Sequence, residues 1–155
     1  MTLSVLHVGL ESLALRVGGL NTYCTSLVES LRAEGVNATA TWVGGEEPYC
    51  QALEQGSLWR RNLAVARVIR DSEADLVDVH FAAHAVVAVA TGAFRHRPIV
   101  VHFQGPWADE SRWTGGSFLV SVIKRRIERF VLRRAESVVV LSHAFAQVAI
   151  AKYGV

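Results

Sequence analysis

Residues 97–111 read RPIVVHFQGPWADES. A short β-branched run leads directly into a Gly-Pro turn that carries His102, Gln104, Trp107, Asp109 and Glu110. Whether this turn is an active-site edge or an ordinary polar loop depends on the sheet to which its strand, Pro98–Phe103, belongs. Downstream, Ser117–Arg134 reads as a long helix, Ser137–Leu141 (SVVVL) as a strand, and Ser142 as the cap of a last helix running to Tyr153. Upstream, Ala82–Arg95 is a small-residue helix ended by the basic FRHRP segment and Pro98. Before it come the strand Asp75–Phe81 (DLVDVHF) and a helix over Leu58–Asp71 capped by Ser57. Asn37–Val43 (NATATWV) alternates like a strand, and Gly44–Gly56 reads as a loop. Leu20, Tyr23, Cys24, Leu27, Val28 and Leu31 recur at spacings of three and four, a helix over Leu20–Glu34 that Gly35 stops. Leu3–Gly9 is the first strand.

Strand and helix alternate throughout, and several strands read as apolar on both faces. That pattern predicts an α/β, Rossmann-like parallel sheet with helices on both faces, in one domain spanning 1–155. Right-handed crossovers bring all βα loops to one edge of such a sheet, where ligands bind. The segment after Phe103 leaves a strand at that edge, so it leans towards a site.

The chain has 155 residues, 51% apolar and 19% charged, a globular composition with room for a core. A net charge of +2 is too small to argue for nucleic acid, so any basic feature must be local. The two cysteines, Cys24 and Cys50, fit neither a metal pattern nor a disulfide framework and read as reduced thiols. MTLSVLHVG lacks the basic start of a secretory signal, and AVVAVATGAF (85–94) is about half a membrane crossing. A cytoplasmic protein is expected.

VGGLNTY (17–23) puts Gly18, Gly19 and Leu20 at the start of the first helix. The exposed N–H groups and helix dipole there suit a phosphate; the alternative is a flexible turn with a loose N-cap. The dinucleotide fingerprint G-x-G-x-x-G is absent. His80 and His84, at the end of the third strand and the start of its helix, suit a sugar hydroxyl or phosphate, or equally a half-buried backbone contact. Two histidines at that spacing are weak support for zinc, and no metal site is expected. Asp109 and Glu110 are neighbours and poorly placed to work as a pair; one is expected to cap or to meet an arginine such as Arg112. Trp107 could stack on a sugar or pack onto the loop. In IKRRIERFVLRR (123–134), Ile123, Ile127, Phe130 and Val131 share one side of the helix. Arg125, Arg126, Arg129 and Arg133 occupy an adjoining arc of about 100°. This arginine face is either a solvated surface or a contact for anionic head groups.

VGGLNTYCTSLVESLRAEGV (17–36), ADLVDVHFAAHAVVAVA (74–90), RPIVVHFQGPWADES (97–111) and RRIERFVLRRAESVVVLSHAFAQVAIAKYGV (125–155) together resemble, in order, the amino-terminal half of a glycosyltransferase family 4 enzyme with the GT-B fold. The family has a Gly-Gly loop opening its first helix, a strand ending in His, a later strand leading to a His-Gly pair, and a basic helix before the next strand. The resemblance implies the acceptor-side domain of a retaining, metal-independent hexosyltransferase, with a nucleotide-diphosphate sugar as co-substrate and a glycan, glycolipid or other hydroxyl as acceptor. It assigns Gly18, Gly19 and Leu20 to the donor phosphates, and His80, His84, Gly105, Trp107 and Glu110 to the sugar or acceptor. The arginine face is assigned to a membrane or anionic contact at the inner face of the membrane.

The chain departs from the family in two places. The usual Phe-His-Gly is here Phe103-Gln104-Gly105, and an amide can hydrogen-bond but cannot carry a proton; retaining members are thought to use the donor phosphate as base. His102 is expected to face away from Gln104 and is set aside as a substitute. The carboxy-terminal donor-binding domain, with its paired glutamates, lies outside the 155 residues, so the chain is expected to be inactive alone. Two rivals remain: a free-standing Rossmann-like binding or assembly module docking through its arginine helix, and a nucleotide-dependent oxidoreductase using Glu46 or Glu47.

Overall fold

The computed structural model describes residues 2–155 except Thr114, with the side chains of Ser111 and Arg112 also left aside. Its sheet has six strands, all parallel: β1 (Ser4–Glu11), β2 (Asn37–Val43), β3 (Cys50–Leu53), β4 (Leu76–Val79), β5 (Ile99–Phe103) and β6 (Ser137–Val140). The helices are α1 (Gly19–Ala33), α2 (Leu58–Asp71), α3 (Ala82–Ala90), α4 (Trp107–Trp113), α5 (Phe118–Leu132) and α6 (His143–Val148). A π-helical turn over Ala149–Tyr153 extends α6, and Gly154 closes it in the left-handed conformation. The strand order is β3-β2-β1-β4-β5-β6, so the chain winds outward from β1, returns, and winds outward the other way. The crevice between β1 and β4 is the switch point where such sheets take ligands.

The main core lies on one face, where Leu6, Val8, Val77, Val79, Val101 and Phe103 meet α2, α3 and α5. Asn62 ties two of these helices, donating to the Ala83 carbonyl at 2.9 Å. Arg97 donates to the Ser72 and Phe94 carbonyls, joining the C-terminal ends of α2 and α3 to the turn before β5. On the other face α1 packs on β1 and β2 through Cys24, Val28, Ala38, Ala40 and Trp42.

Five expectations change. Cys50–Leu53, read as loop, is the edge strand β3; CQAL has little strand preference of its own, and the open edge of β2 supplies the pairing. Trp107–Trp113, also read as loop, is helical, because a carboxylate from α5 caps it. α3 ends at Ala90, five residues before the expected Arg95, where Thr91 caps it and Gly92 takes a positive φ of 65°. The central strands are not apolar on both faces: His7, Asp78, His80 and His102 are all buried. Finally, α5 is rotated relative to its apolar pattern. It buries Ser121, Glu128, Val131 and Leu132, leaving Ile123 58% and Phe130 43% exposed.

Glu128 explains that rotation. Its carboxylate accepts from the N–H groups of Trp107 at 2.9 Å and Ala108 at 3.3 Å, and from the Tyr153 hydroxyl at 2.7 Å. One buried side chain thus joins α4, α5 and the π-helical turn, and burial raises its pKa above the usual carboxylate range. Replacing Glu128 with Ala leaves these donors without an acceptor and is expected to cost about 3 kcal/mol in urea unfolding. The exposed Glu136→Ala should stay within about 0.5 kcal/mol of wild type. A loss below about 1 kcal/mol at Glu128 would mean that the cap is not what holds α4.

Candidate functional site

Gly105 turns the chain from β5 into α4 with a φ of +151°, and a Cβ there would stand 2.8 Å from Glu110 Oε1. The backbone therefore calls for glycine, while the Glu110 carboxylate could turn aside from a Cβ. The turn opens a hollow of about 270 Å³ at the carboxyl edge of the sheet, lined by Leu20, His80, His102, Gln104, Trp107 and Glu110 among others. A second hollow, about 410 Å³, adjoins it and reaches Arg16, Gly18, Gly19 and Asn21; Leu20, Phe81, Trp107 and Glu110 border both. The opening segment borders a hollow at the carboxyl edge of the sheet.

Gly18 and Gly19 need no left-handed backbone, and a Cβ at either would meet nothing within 4 Å. The space beside them is free for a ligand. Leu20 lies where the hollows meet. The Gln104 amide nitrogen is buried and has no hydrogen-bond partner among the described residues. One face of the Trp107 ring is covered by Lys124, whose ammonium stands 4.4 Å from the ring centroid. Phe81 packs edge-on against the same ring at 5.3 Å. Asp109 and Glu110 divide: Glu110 lines the hollows, whereas Asp109 is clamped by Arg125 at 2.7 Å and by Lys152. The Lys152 ammonium, then Arg125, holds the Asp109 carboxyl below its usual range. The Arg112 side chain lies outside the described residues.

His84 stands apart from the hollows. It is buried, with Nδ1 3.1 Å from the Gly9 carbonyl, and burial holds its pKa below the ordinary value. Glu47, the ribose ligand of the oxidoreductase reading, accepts from the Trp42 indole at 3.2 Å and from the Glu46 backbone.

Beneath the first hollow is a cluster that the sequence reading did not single out. Asp78 Oδ2 is 2.9 Å from His7 Nδ1 and 3.2 Å from His80 Nε2, and Asp78 Oδ1 is 2.8 Å from His102 Nε2. His80 and His102 stack at 4.3 Å between centroids, and the Tyr23 hydroxyl is 3.3 Å from His102 Nδ1. Burial alone would raise the Asp78 pKa, but the close approach of the surrounding histidines, His102 first, prevails and holds this carboxyl far below its usual range. Burial, opposed by the Asp78 carboxylate, moves the His80 pKa below the ordinary histidine value. His102 was expected to face away from Gln104, but residues two apart in a strand share a face, and both line the hollow. The signal was present in the sequence: His7, then Asp78 and His80, then His102 and Gln104 are polar residues at alternate positions of adjacent strands.

The sequence model described as Glycosyltransferase Family 4 matches residues 17–155. The chain belongs to glycosyltransferase family 4. Among solved structures it is similar to an alpha-glucosyltransferase in complex with UDP and a 13-mer DNA containing a HMU base. The TM-score is 0.58 at 9% identity, over 90% of this chain and 38% of that one. At that identity the likeness concerns the fold, and it agrees with a GT-B amino-terminal domain. The chain spans well under half of that neighbour. No curated protein matches it.

In this family 4 domain His84 also gives a readable pH dependence. Its folded pKa lies below its unfolded value, so the unfolded chain takes up a proton that the folded chain refuses. Stability should therefore fall as pH drops below about 6.5, the ordinary histidine value. His84→Gln keeps a donor for the Gly9 carbonyl without a titrating group. The urea midpoint of this variant should decline less steeply between pH 7 and 5 than that of wild type; equal slopes would rule His84 out as a source.

Proposed function

We propose that the chain is the acceptor-side domain of a retaining glycosyltransferase. The enzyme moves a hexose from a nucleotide-diphosphate donor to a hydroxyl of a glycan, glycolipid or similar acceptor, without a metal in the transfer step. The observation that carries this reading is the paired hollow at the sheet edge of a family 4 domain. Gly18 and Gly19 open one part, while Gln104, His80, Trp107 and Glu110 border the other. Each hollow is near or within the lower half of the range of about 300–1,000 Å³ that ligand clefts occupy. The helix start at Gly18–Gly19 suits the donor diphosphate, and Arg16 borders the same hollow. The Gln104 amide donates to a phosphate or sugar oxygen, and Glu110 accepts from an acceptor hydroxyl. Because Gln104 cannot take a proton, the donor phosphate receives the one released by the acceptor. His84 would act only by holding the Gly9 end of β1 behind the cleft.

Transfer requires a second wall that excludes water from the activated sugar. A carboxy-terminal donor-binding domain would supply it, and the 155 residues alone would be inactive. In the enzyme completed by such a domain, a panel of labelled nucleotide sugars should give a product whose anomeric configuration is retained. Gln104→Ala should lower kcat by about 100- to 1,000-fold, the scale of losing one preorganised donor. Gly19→Val should raise KM for the donor. An inverted product, or full activity of both variants, would overturn the reading.

We further propose that α5 rests on a membrane surface. Leu119, Ile123, Arg126, Phe130 and Arg133 follow one another at spacings of four and three, within an arc of about 80°. All five are exposed, and Trp113 and Phe118 are 80% and 66% exposed beside the start of that stripe. Arg129 flanks it, whereas Arg125 is committed to Asp109. No helix among the described residues is long and apolar enough to cross a membrane. An apolar stripe interleaved with arginines instead suits the head-group boundary, at an inner, cytoplasmic face rich in anionic lipid. The chain should sediment with vesicles of equal parts phosphatidylglycerol and phosphatidylcholine, but not with phosphatidylcholine alone. Arg126→Glu combined with Arg133→Glu should abolish sedimentation; binding that survives the reversal would refute the surface.

A further inference from the structure

Three donor atoms below the cleft lie almost equally far from one another. His7 Nδ1 and Asp78 Oδ2 are 2.9 Å apart, Asp78 Oδ2 and His80 Nε2 3.2 Å, and His7 Nδ1 and His80 Nε2 3.3 Å. All three residues are buried, His7 and His80 to within 1% of complete burial. Three lone pairs this close repel one another unless positive charge lies among them, either protons or a cation. Zinc binds histidine nitrogen and carboxylate oxygen at about 2.0–2.2 Å, which sets tetrahedral ligands about 3.3 Å apart. The triangle is close to one face of that tetrahedron and would need only a few tenths of an ångström of adjustment.

We infer that His7 Nδ1, Asp78 Oδ2 and His80 Nε2 form a site for one divalent transition-metal ion of the zinc class, with the fourth position open to water. Two imidazoles and one carboxylate favour zinc, cobalt or nickel over magnesium or calcium, which prefer all-oxygen sites. One supporting group is present as well, while His7 Nε2 and His80 Nδ1 have no hydrogen-bond partner among the described residues. His102 Nε2 stands 2.8 Å from Asp78 Oδ1, the oxygen turned away from the triangle, yet that oxygen has no aligned hydrogen-bond partner. The Tyr23 hydroxyl in turn holds His102 Nδ1 at 3.3 Å. Small rotations that bring the ligands onto an ion would let His102 donate squarely to Asp78, the usual support of a ligating carboxylate. His7 and Asp78 are direct partners across β1 and β4, and His80 follows Asp78 on the same face. The ion therefore fastens the switch point of the sheet. His80 and His102 also border the cleft, which gives the ion a way in. The inference rests on this geometry alone and not on the proposed transfer reaction.

The 155-residue chain, stripped with a chelator and dialysed, would be titrated with Co²⁺ and then Zn²⁺. Expected are one Co²⁺ per chain with the visible absorption of a four-coordinate site, displacement by one Zn²⁺, and a higher Tm with Zn²⁺ but not with Mg²⁺. His7→Gln and Asp78→Asn should each weaken binding by more than 100-fold. His102→Phe should weaken it by about 10- to 100-fold, as removing a supporting group does. His96→Gln and His143→Gln, which alter exposed histidines, should bind like wild type. The site is overturned if wild type shows no four-coordinate Co²⁺ spectrum, a measurement that needs no variant to fold. It is equally overturned if binding survives Asp78→Asn but is lost on changing His96 or His143, which would place the metal at the surface.

Discussion

A carboxylate buried in the middle of a parallel sheet is the constraint around which this fold is arranged. Isolated in an apolar core, Asp78 would cost several kcal/mol or would be protonated. It is neither, because β1, β4 and β5 each bring a histidine to it on the face opposite the main core. These partners work only if the three strands keep their register, since a slip of one residue would turn every member of the cluster into the valine-rich layer. The cluster thus fixes the alignment of the strands at the point where the sheet changes winding direction. It also sets the floor of the cleft.

The roof is fixed by a second buried carboxylate, Glu128. Because it caps α4 and accepts from Tyr153, α5 presents Glu128 inward and cannot also bury Ile123 and Phe130. The rotation has two results. It places Trp107 and Glu110 over the cleft, and it turns a mixed apolar and basic stripe to the outside. Two surfaces of different character therefore trace back to one polar contact, which an apolar side chain in its place could not reproduce.

Much of the fold was legible in the sequence. The runs DLVDVHF, RPIVV and SVVVL, with helices of the right length between them, suffice for a parallel α/β sheet, and the Gly-Gly segment, the strand ending in His80 and the basic helix for the family. The missing pieces are those whose cause lies elsewhere in the chain. β3 depends on the open edge of β2, and α4 on a carboxylate about 20 residues downstream. Gln104, Trp107, Glu110 and the Gly18–Gly19 segment border adjoining hollows, while His84 stays behind the strands. The Asp78 cluster was overlooked because apolar content was weighed run by run. Its signature is periodic: a polar residue at every second position of neighbouring strands, on a face that has no reason to be polar unless those residues meet.

Gly18 and Gly19 show where the explanation passes beyond this chain. Gly44 has a positive φ and faces the Leu15 side chain, so its lack of a side chain serves the fold itself. At 18 and 19 neither reason exists: the backbone is ordinary and the space is open. An alanine at 19 would cost the folded chain little, and a serine at 18 would cap α1 better than glycine does. Glycine at a helix start is useful when something outside must approach the N–H groups within van der Waals contact. A phosphate does so, and so does a donor held by a facing domain. The feature that least serves the packing of the 155 residues is thus one that leaves the start of α1 open to approach from outside.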